Sequence, residues 1–276
     1  MNHLGRERYK YLIHNHLAYT YAIKVKKPNL VEQSIILRGK YYQDMFYKTL
    51  TLILKAAAKT KTHPVLIKTL KWLGEVVDGD IDVIIAANEF NVFVEALSKV
   101  GFRVTFETKT KAVCKRLGFC KIEPRVSVDY AGQTLLNFEQ ADKNTKTIRH
   151  NGLKFRTTNP QVDNLMICLN IIYGPRYLRL YDYLQIVKYG IFDSPFIPQT
   201  FYDDIRHFPQ LFESDHSITQ KYPVFIPTTL YVLWWIRKIL FLPTLSVWEK
   251  IKKLLYLIYL RCVYIITDRL IYEHEW

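Results

Sequence analysis

The chain has 276 residues, of which 49% are hydrophobic and 14% aromatic, so it is long enough for one large domain or two small ones with a buried core. It contains 10 Gly and 11 Pro, too few for a fibrous or disordered chain, and 4 Cys, too few for a disulfide scaffold. The formal net charge of +14 favours polyanionic partners such as nucleic acid, nucleotides or an anionic membrane. A generally lysine-rich proteome is the alternative explanation.

Residues 1–62 are predicted to form an N-terminal helical segment. Its first residues are too polar for a signal peptide, so we expect a cytoplasmic location. Residues 44–59 have a helical apolar period and contain three alanines, which favour a helix. The apolar face of this helix would carry Phe46, Leu50, Ile53 and Leu54.

Residues 63–157 are predicted to form a small α/β unit with a mixed sheet. Residues 89–100 have the period of an amphipathic helix, and Gly101 follows as its C-terminal cap. Short apolar runs rich in β-branched residues predict the strands, at residues 65–67, 81–85, 102–106 and 126–130.

Residues 158–276 are predicted to be a C-terminal helical region. Pro160 is typical of a first helical position, and helices are predicted at 162–173 and 176–188. Further on, residues 225–272 are apolar and aromatic. Their first apolar stretch, residues 228–242, is short for a membrane span and has two cations near its middle. A helix is predicted from 247 to about 272, capped by Ser246, with a stripe formed by Trp248, Ile251, Leu255, Ile258, Cys262 and Ile265.

Three interpretations of residues 225–272 stay open at this point. The two helices pack on the rest of the chain, lie at a membrane interface as peripheral helices, or bind a protein partner. No transmembrane span is favoured.

Three aspartates form the most informative motif. Asp80 and Asp82 point to the same side of the predicted strand, because side chains repeat every second residue. Two neighbouring carboxylates repel each other unless a cation lies between them, so this spacing suits Mg²⁺ or Mn²⁺. Asp129 lies in a second apolar strand, and three carboxylates can hold two metal ions roughly 3.5–4 Å apart for phosphoryl chemistry. A surface turn that ends in acids is the alternative.

The order of these elements resembles the nucleotidyltransferase superfamily, with the DNA polymerase beta-like fold. That family has an apolar strand, a Gly-Gly or Gly-Ser turn, and a second strand with the Asp-x-Asp pair after nine to thirteen residues. Here residues 65–67 are the first strand, and ten residues separate Thr69 from Asp80. The sequence resembles a poorly characterised archaeal and bacterial branch of this superfamily. The Pro-x-x-Asp segment at Pro160 to Asp163 supports this resemblance.

The resemblance implies roles for individual residues. Asp80, Asp82 and Asp129 would be the metal-binding and catalytic acids. Lys68 and Thr69 stand where the family has its Gly-Ser turn, so they would contact the phosphates of the nucleotide; a lysine ammonium can do this as a point charge. Acceptor or phosphate contacts are expected from Lys111, Lys115, Arg116, Arg176 and Arg179, although a solvated surface explains these charges equally simply.

The implied activity is transfer of a nucleoside monophosphate from an NTP to an acceptor, with release of pyrophosphate. RNA, including a tRNA end, and a protein hydroxyl are the acceptors that we expect. The alternative is a catalytically inactive, basic binding protein of the same fold that engages nucleic acid, a membrane surface or a partner through its C-terminal helices. The intact aspartates favour the enzyme, and the missing Gly-Ser turn favours the binding protein.

Overall fold

The computed structural model is an α/β protein with a seven-stranded mixed sheet. The chain divides into two compact units, one made of residues 16–129 and 134–163, the other of residues 1–15, 130–133 and 164–276. The structure describes residues 12, 18–68, 80–130, 133–173, 180–213, 233, 236–237, 239–241, 246–255 and 258–259.

The regular elements confirm the α/β class and most of the predicted segments. The helices are α1 (Ala18–Ala22), α2 (Leu30–Thr60), α3 (Phe90–Lys99), α4 (Phe138–Lys143), α5 (Pro160–Tyr173), α6 (Leu180–Tyr189) and α7 (Gln199–Glu213). The strands are β1 (Val65–Ile67), β2 (Ile81–Ile84), β3 (Arg103–Glu107), β4 (Ala112–Lys115), β5 (Ile122–Arg125), β6 (Ser127–Tyr130), β7 (Gln133–Asn137), β8 (Thr145–His150) and β9 (Leu153–Thr158).

The seven-stranded sheet has the order β3-β4-β5-β2-β1-β9-β8, and β6 and β7 form a separate two-stranded sheet. Strand β2 lies at the centre, antiparallel to β1 and parallel to β5. The register places Ile81 beside Ile122 and Asp82 beside Glu123. Paired residues in a sheet point to the same face. Ile81 and Ile122 therefore share one face of the sheet, and Asp82 and Glu123 share the other.

Helices α2 and α3 cover one face of this sheet. Phe46, Leu50 and Ile53 of α2 pack in a buried core with Phe90 and Phe93 of α3. The residues that the central strands contribute to the same core alternate along the chain, and they include Ile81, Val83, Ile85 and Ile122. Alternation therefore turns Asp80, Asp82 and Glu123 toward the opposite face of the sheet.

Helix α2 is longer than the predicted helix. It starts at Asn29, whose side chain accepts hydrogen bonds from the backbone N–H groups of Val31 and Glu32 in a capping box. It ends at Lys61 in the left-handed conformation. Because its apolar face packs on the sheet, helix α2 belongs to the same unit as the strands of the seven-stranded sheet.

Residues 158–276 contain the predicted helices in part. Helix α5 begins at Pro160, as the sequence predicts, and α6 ends at Tyr189. The buried Asn164 of α5 ties the end of α6 in place, because its amide donates to the backbone carbonyls of Gln185 and Gly190. Across the described residues, no helix has both the length and the apolar character needed to cross a membrane.

Candidate functional site

The site lies at the start of the buried strand β2, where two acids are separated by one residue. Asp80 precedes the strand, and Asp82 is its second residue. Asp82 is almost fully buried, and both of its carboxylate oxygens are bound by cations. Oδ2 lies 2.9 Å from Nζ of Lys68, and Oδ1 lies 2.5 Å from Nη2 of Arg125. Because side chains alternate along a strand, Asp80 and Asp82 lie on the same face of the sheet, which is the arrangement that the sequence predicts.

Glu123 is a third acid on this face, and the sequence analysis missed it. It lies directly beside Asp82 on the parallel strand β5. Nη2 of Arg125 is 2.6 Å from Oε2 of Glu123, so one guanidinium nitrogen joins both carboxylates. The signal in the sequence was the alternation of Lys121, Glu123 and Arg125 with apolar residues, which is typical of a strand with one charged face.

Two lysines complete the arrangement. Nζ of Lys121 lies 2.5 Å from Oδ2 of Asp80 and 2.9 Å from Oε1 of Glu123. Nζ of Lys111 lies 3.0 Å from Oε2 of Glu123. We call the whole set the charged cluster; its members are Lys68, Asp80, Asp82, Lys111, Lys121, Glu123 and Arg125. Four cations thus face three carboxylates, which leaves an excess of one positive charge.

These ion pairs shift the pKa values of Glu123 and Lys121. Burial alone raises the pKa of Glu123, but hydrogen bonds from Lys121 and Lys111 outweigh it, and the pKa lies below its usual value. Burial likewise opposes the charged form of Lys121, while hydrogen bonds to Asp80 and Glu123 raise its pKa above the usual value. Both groups are therefore held in their charged forms.

Lys68 follows β1 in an unusual backbone conformation. Its φ is 59°, in the left-handed region that glycine occupies readily and other residues rarely. Its backbone N–H donates to Oδ1 of Asp163 at 2.8 Å. Asp163 is fully buried in the first turn of α5 and also accepts from the hydroxyl of Thr158. The Pro-x-x-Asp segment thus holds the turn that aims the Lys68 ammonium at Asp82.

Asp129 does not join the charged cluster. It lies on β6 in the two-stranded sheet, where it is exposed and accepts hydrogen bonds from the hydroxyls of Ser127 and Thr134, each at 2.7 Å. Among the described residues, no group of three His, Cys, Asp or Glu is placed to hold a metal ion. The predicted convergence of Asp80, Asp82 and Asp129 is therefore not found, because β6 leaves the sheet that carries the other two acids.

The remaining predicted contacts divide into three groups. Lys111 belongs to the charged cluster, and Lys115 is exposed on β4. Arg116 has a structural role, since its Nη1 donates to the carbonyl of Val100 at 2.5 Å and its guanidinium lies 4.3 Å from the centre of the Phe119 ring. The contacts predicted for Thr69, Arg176 and Arg179 stay predictions, because these residues lie outside the described part of the chain.

The sequence matches no protein-family model and no curated protein. Two solved structures match parts of this chain. An antigenic nucleotidyltransferase-like protein from Paracoccidioides brasiliensis has 14% identity and a TM-score of 0.41, covering 64% of this chain and 93% of its own. A candidate nucleotidyltransferase from Thermotoga maritima has 12% identity and a TM-score of 0.31, covering 61% of this chain and 93% of its own. Similarity at this level carries no information on substrate or activity.

Proposed function

We propose that the protein is a nucleotidyltransferase that binds an NTP at the charged cluster and transfers its nucleoside monophosphate to an acceptor. The observation that carries this proposal is the pairing of Lys68 with Asp82. A left-handed turn after β1 and the acidic start of β2 meet there, on the sheet face opposite α2 and α3. This is where the sequence resemblance expects the phosphates and the acids to meet.

The cations of the cluster suit a triphosphate. Lys68, Lys121 and Arg125 carry charges that are largely buried, and buried charges bind phosphate oxygens more strongly than exposed ones do. Each now neutralises a carboxylate, so each can exchange that partner for a phosphate oxygen when the nucleotide enters. Asp163 fixes the Lys68 turn and so fixes the direction from which this cation approaches.

The donor chemistry of the acids fits Mg²⁺ or Mn²⁺, since Asp80, Asp82 and Glu123 offer hard carboxylate oxygens from one face. Their oxygens are engaged by protein cations, so an ion must compete with Lys68 and Lys121. As the described residues stand, no three of these acids are placed around an ion, so Asp80 and Asp82 would hold it only after Lys68 and Lys121 have moved away. When bound, the ion would supply charge neutralisation for the triphosphate and the leaving pyrophosphate.

The transfer step forms a bond between the acceptor oxygen and the α-phosphorus. The bond from the α-phosphorus to the oxygen that bridges to the β-phosphorus breaks, and pyrophosphate leaves with that electron pair. The proton of the acceptor passes to a carboxylate that acts as the base, and among the three carboxylates of the cluster Asp80 is the best placed for this. Its side chain is 37% exposed, against 10% for Asp82 and 12% for Glu123, so an acceptor can reach it. Positioning by the surrounding ion pairs supplies most of the catalysis.

For the acceptor we favour RNA, including a tRNA end, over a protein hydroxyl. The support is the net charge of +14, because a basic surface binds a phosphate backbone without regard to sequence. Lys115 is an exposed candidate for such contacts close to the strands that carry the cluster.

A second function is favoured by one specific observation. All three acids of the cluster are already paired with lysine or arginine, and a lysine stands where a glycine would let the backbone approach phosphate. A basic binding protein that has lost catalysis would have these features. In that case the cations serve to stabilise the sheet rather than to bind a nucleotide.

Radiolabelled NTPs incubated with bulk RNA, and with the protein alone, distinguish the two functions. The enzyme labels an acceptor in Mg²⁺ or Mn²⁺, and Asp82→Asn labels none. Asp44→Asn is the matched control, because Asp44 forms an exposed pair with Lys48 on the surface of α2. Absence of label with all four NTPs, together with RNA binding that Asp82→Asn leaves intact, would replace the enzyme with the binding protein.

A further inference from the structure

Within the described residues, the apolar stripe predicted near the C-terminus faces solvent. Ser246 caps the helical residues 247–255 through a reciprocal pair with Glu249, whose carboxylate accepts from the Ser246 backbone N–H at 2.9 Å. On this helix Trp248, Ile251 and Leu255 are 64%, 39% and 60% exposed. Large apolar side chains spaced three and four residues apart therefore form a continuous exposed stripe.

The lysines of this helix are arranged around the stripe. Nζ of Lys250 donates to the backbone carbonyl of Leu240 at 2.9 Å, so this lysine turns back toward the preceding helical residues. Lys252 is exposed at the edge of the stripe, and its Nζ lies 5.7 Å from the centre of the Trp248 ring. The Lys250 hydrogen bond thus joins this helix to the preceding helical residues.

Neighbouring residues enlarge the apolar surface. Ile258, three residues beyond Leu255, is exposed and falls on the same stripe. Leu240 and Phe241, in the preceding helical residues, are exposed as well. We call the stripe the C-terminal apolar face; it comprises Trp248, Ile251, Leu255 and Ile258.

We propose that the C-terminal apolar face docks on an anionic membrane surface, with the helix at 247–255 lying in the plane of the headgroups. An apolar stripe bearing a tryptophan and flanked by lysines is the composition that binds such interfaces. Anionic lipid complements Lys252 and the net charge of +14. A second copy of this chain would instead bring like charges together, and a nucleic acid offers phosphates rather than an apolar surface.

Vesicle co-sedimentation with the full chain tests this. Phosphatidylcholine vesicles that contain phosphatidylglycerol should bind the wild type, and pure phosphatidylcholine vesicles should bind it at least about tenfold more weakly at low salt. The double variant Trp248→Ser, Leu255→Ser should lose about tenfold or more in affinity for the anionic vesicles. Leu117→Ser is the matched control, since this leucine is 100% exposed in the turn between β4 and β5, and it should bind as the wild type does.

Two further arms keep the proposal falsifiable. Lys252→Glu should weaken binding to the anionic vesicles only, whereas Asp82→Asn should leave it unchanged, which separates this surface from the proposed catalytic activity. Equal vesicle binding by the wild type and the double variant, or no vesicle binding at all, would overturn the proposal. Dimerisation in light scattering that the double variant abolishes would overturn it in favour of a second copy.

Discussion

Asp82 and Glu123 lie side by side on parallel strands, and one nitrogen of Arg125 bonds to both carboxylates. Two buried carboxylates at adjacent positions would repel each other strongly without a cation between them. Arg125 supplies that cation from two residues along the same strand as Glu123. Arg125 thus offsets the repulsion between the two carboxylates without a bound metal ion. A metal ion or nucleotide that binds at the charged cluster must therefore replace an existing ion pair.

Glu123→Gln should destabilise the fold. It removes the charge that pairs with Lys111, Lys121 and Arg125. Loss of the partner of the largely buried Lys121 and Arg125 costs about 1–3 kcal/mol of the free energy of unfolding. Urea denaturation at pH 7 measures the change. Glu95→Gln, which removes an exposed helix pair with Lys99, should show no measurable change. Equal stability of the two variants would contradict the ion pairs described for Glu123.

The same residue predicts a pH dependence. The pKa of Glu123 in the folded chain lies below its usual value of 4.5, so its carboxylate stabilises the fold above pH 4.5. This contribution is lost as the pH falls through the lowered pKa of the folded state. The wild type should therefore lose more stability than Glu123→Gln between pH 4.5 and more acidic values, as followed by urea denaturation at each pH. Parallel pH profiles would argue against a lowered pKa at this site.

Lys68 allows its two roles to be separated. Lys68→Ala and Lys68→Gly both remove the cation, and each should weaken NTP binding by about 1–3 kcal/mol. Only the glycine relieves the left-handed backbone, so Lys68→Gly should be more stable than Lys68→Ala by roughly 1 kcal/mol. Lys61 is the matched control, because its φ is 58° and it lies at the end of α2. Lys61→Gly should raise stability without changing NTP binding, measured by calorimetry.

The sequence predicted those parts of the site that local pattern determines. The shared face of Asp80 and Asp82 follows from alternation within one strand, whereas Lys68 was implied by the resemblance to the nucleotidyltransferase superfamily. Glu123 could not be predicted in the same way, because its position depends on the pairing of β2 with β5 across about 40 residues of chain. Asp129 was predicted from its strand pattern and from the family resemblance, and no local signal shows that its strand lies outside the main sheet.

One missed element did have a local signal. Strands β8 and β9 form an antiparallel hairpin in which His150 pairs with Leu153. The two residues between them, Asn151 and Gly152, have positive φ values of 48° and 74°. Asn-Gly is the strongest short-range signal of a tight hairpin turn. This dipeptide predicts the hairpin, and the hairpin brings β9 beside β1 and so sets Thr158 next to the Lys68 turn.

Asp163 and Asp129 should respond to substitution in opposite ways. Asp163→Ala leaves the buried N–H of Lys68 and the hydroxyl of Thr158 without their acceptor, which should cost about 2–5 kcal/mol of stability and weaken NTP binding. Asp129→Ala removes two exposed hydrogen bonds, which should cost less than about 1 kcal/mol. Thermal or urea unfolding of both variants measures this. A smaller loss at Asp163 than at Asp129 would show that α5 does not hold the Lys68 turn.

The most direct test of the site is calorimetric titration of each NTP, in Mg²⁺ and in EDTA, into the wild type, Asp82→Asn, Glu123→Gln and Asp129→Asn. The wild type and Asp129→Asn should bind with equal affinity in Mg²⁺ and much more weakly in EDTA. Asp82→Asn and Glu123→Gln should each lose the binding that depends on Mg²⁺. Loss of binding in Asp129→Asn, or binding by Asp82→Asn in Mg²⁺ equal to that of the wild type, would contradict a nucleotide site at the charged cluster.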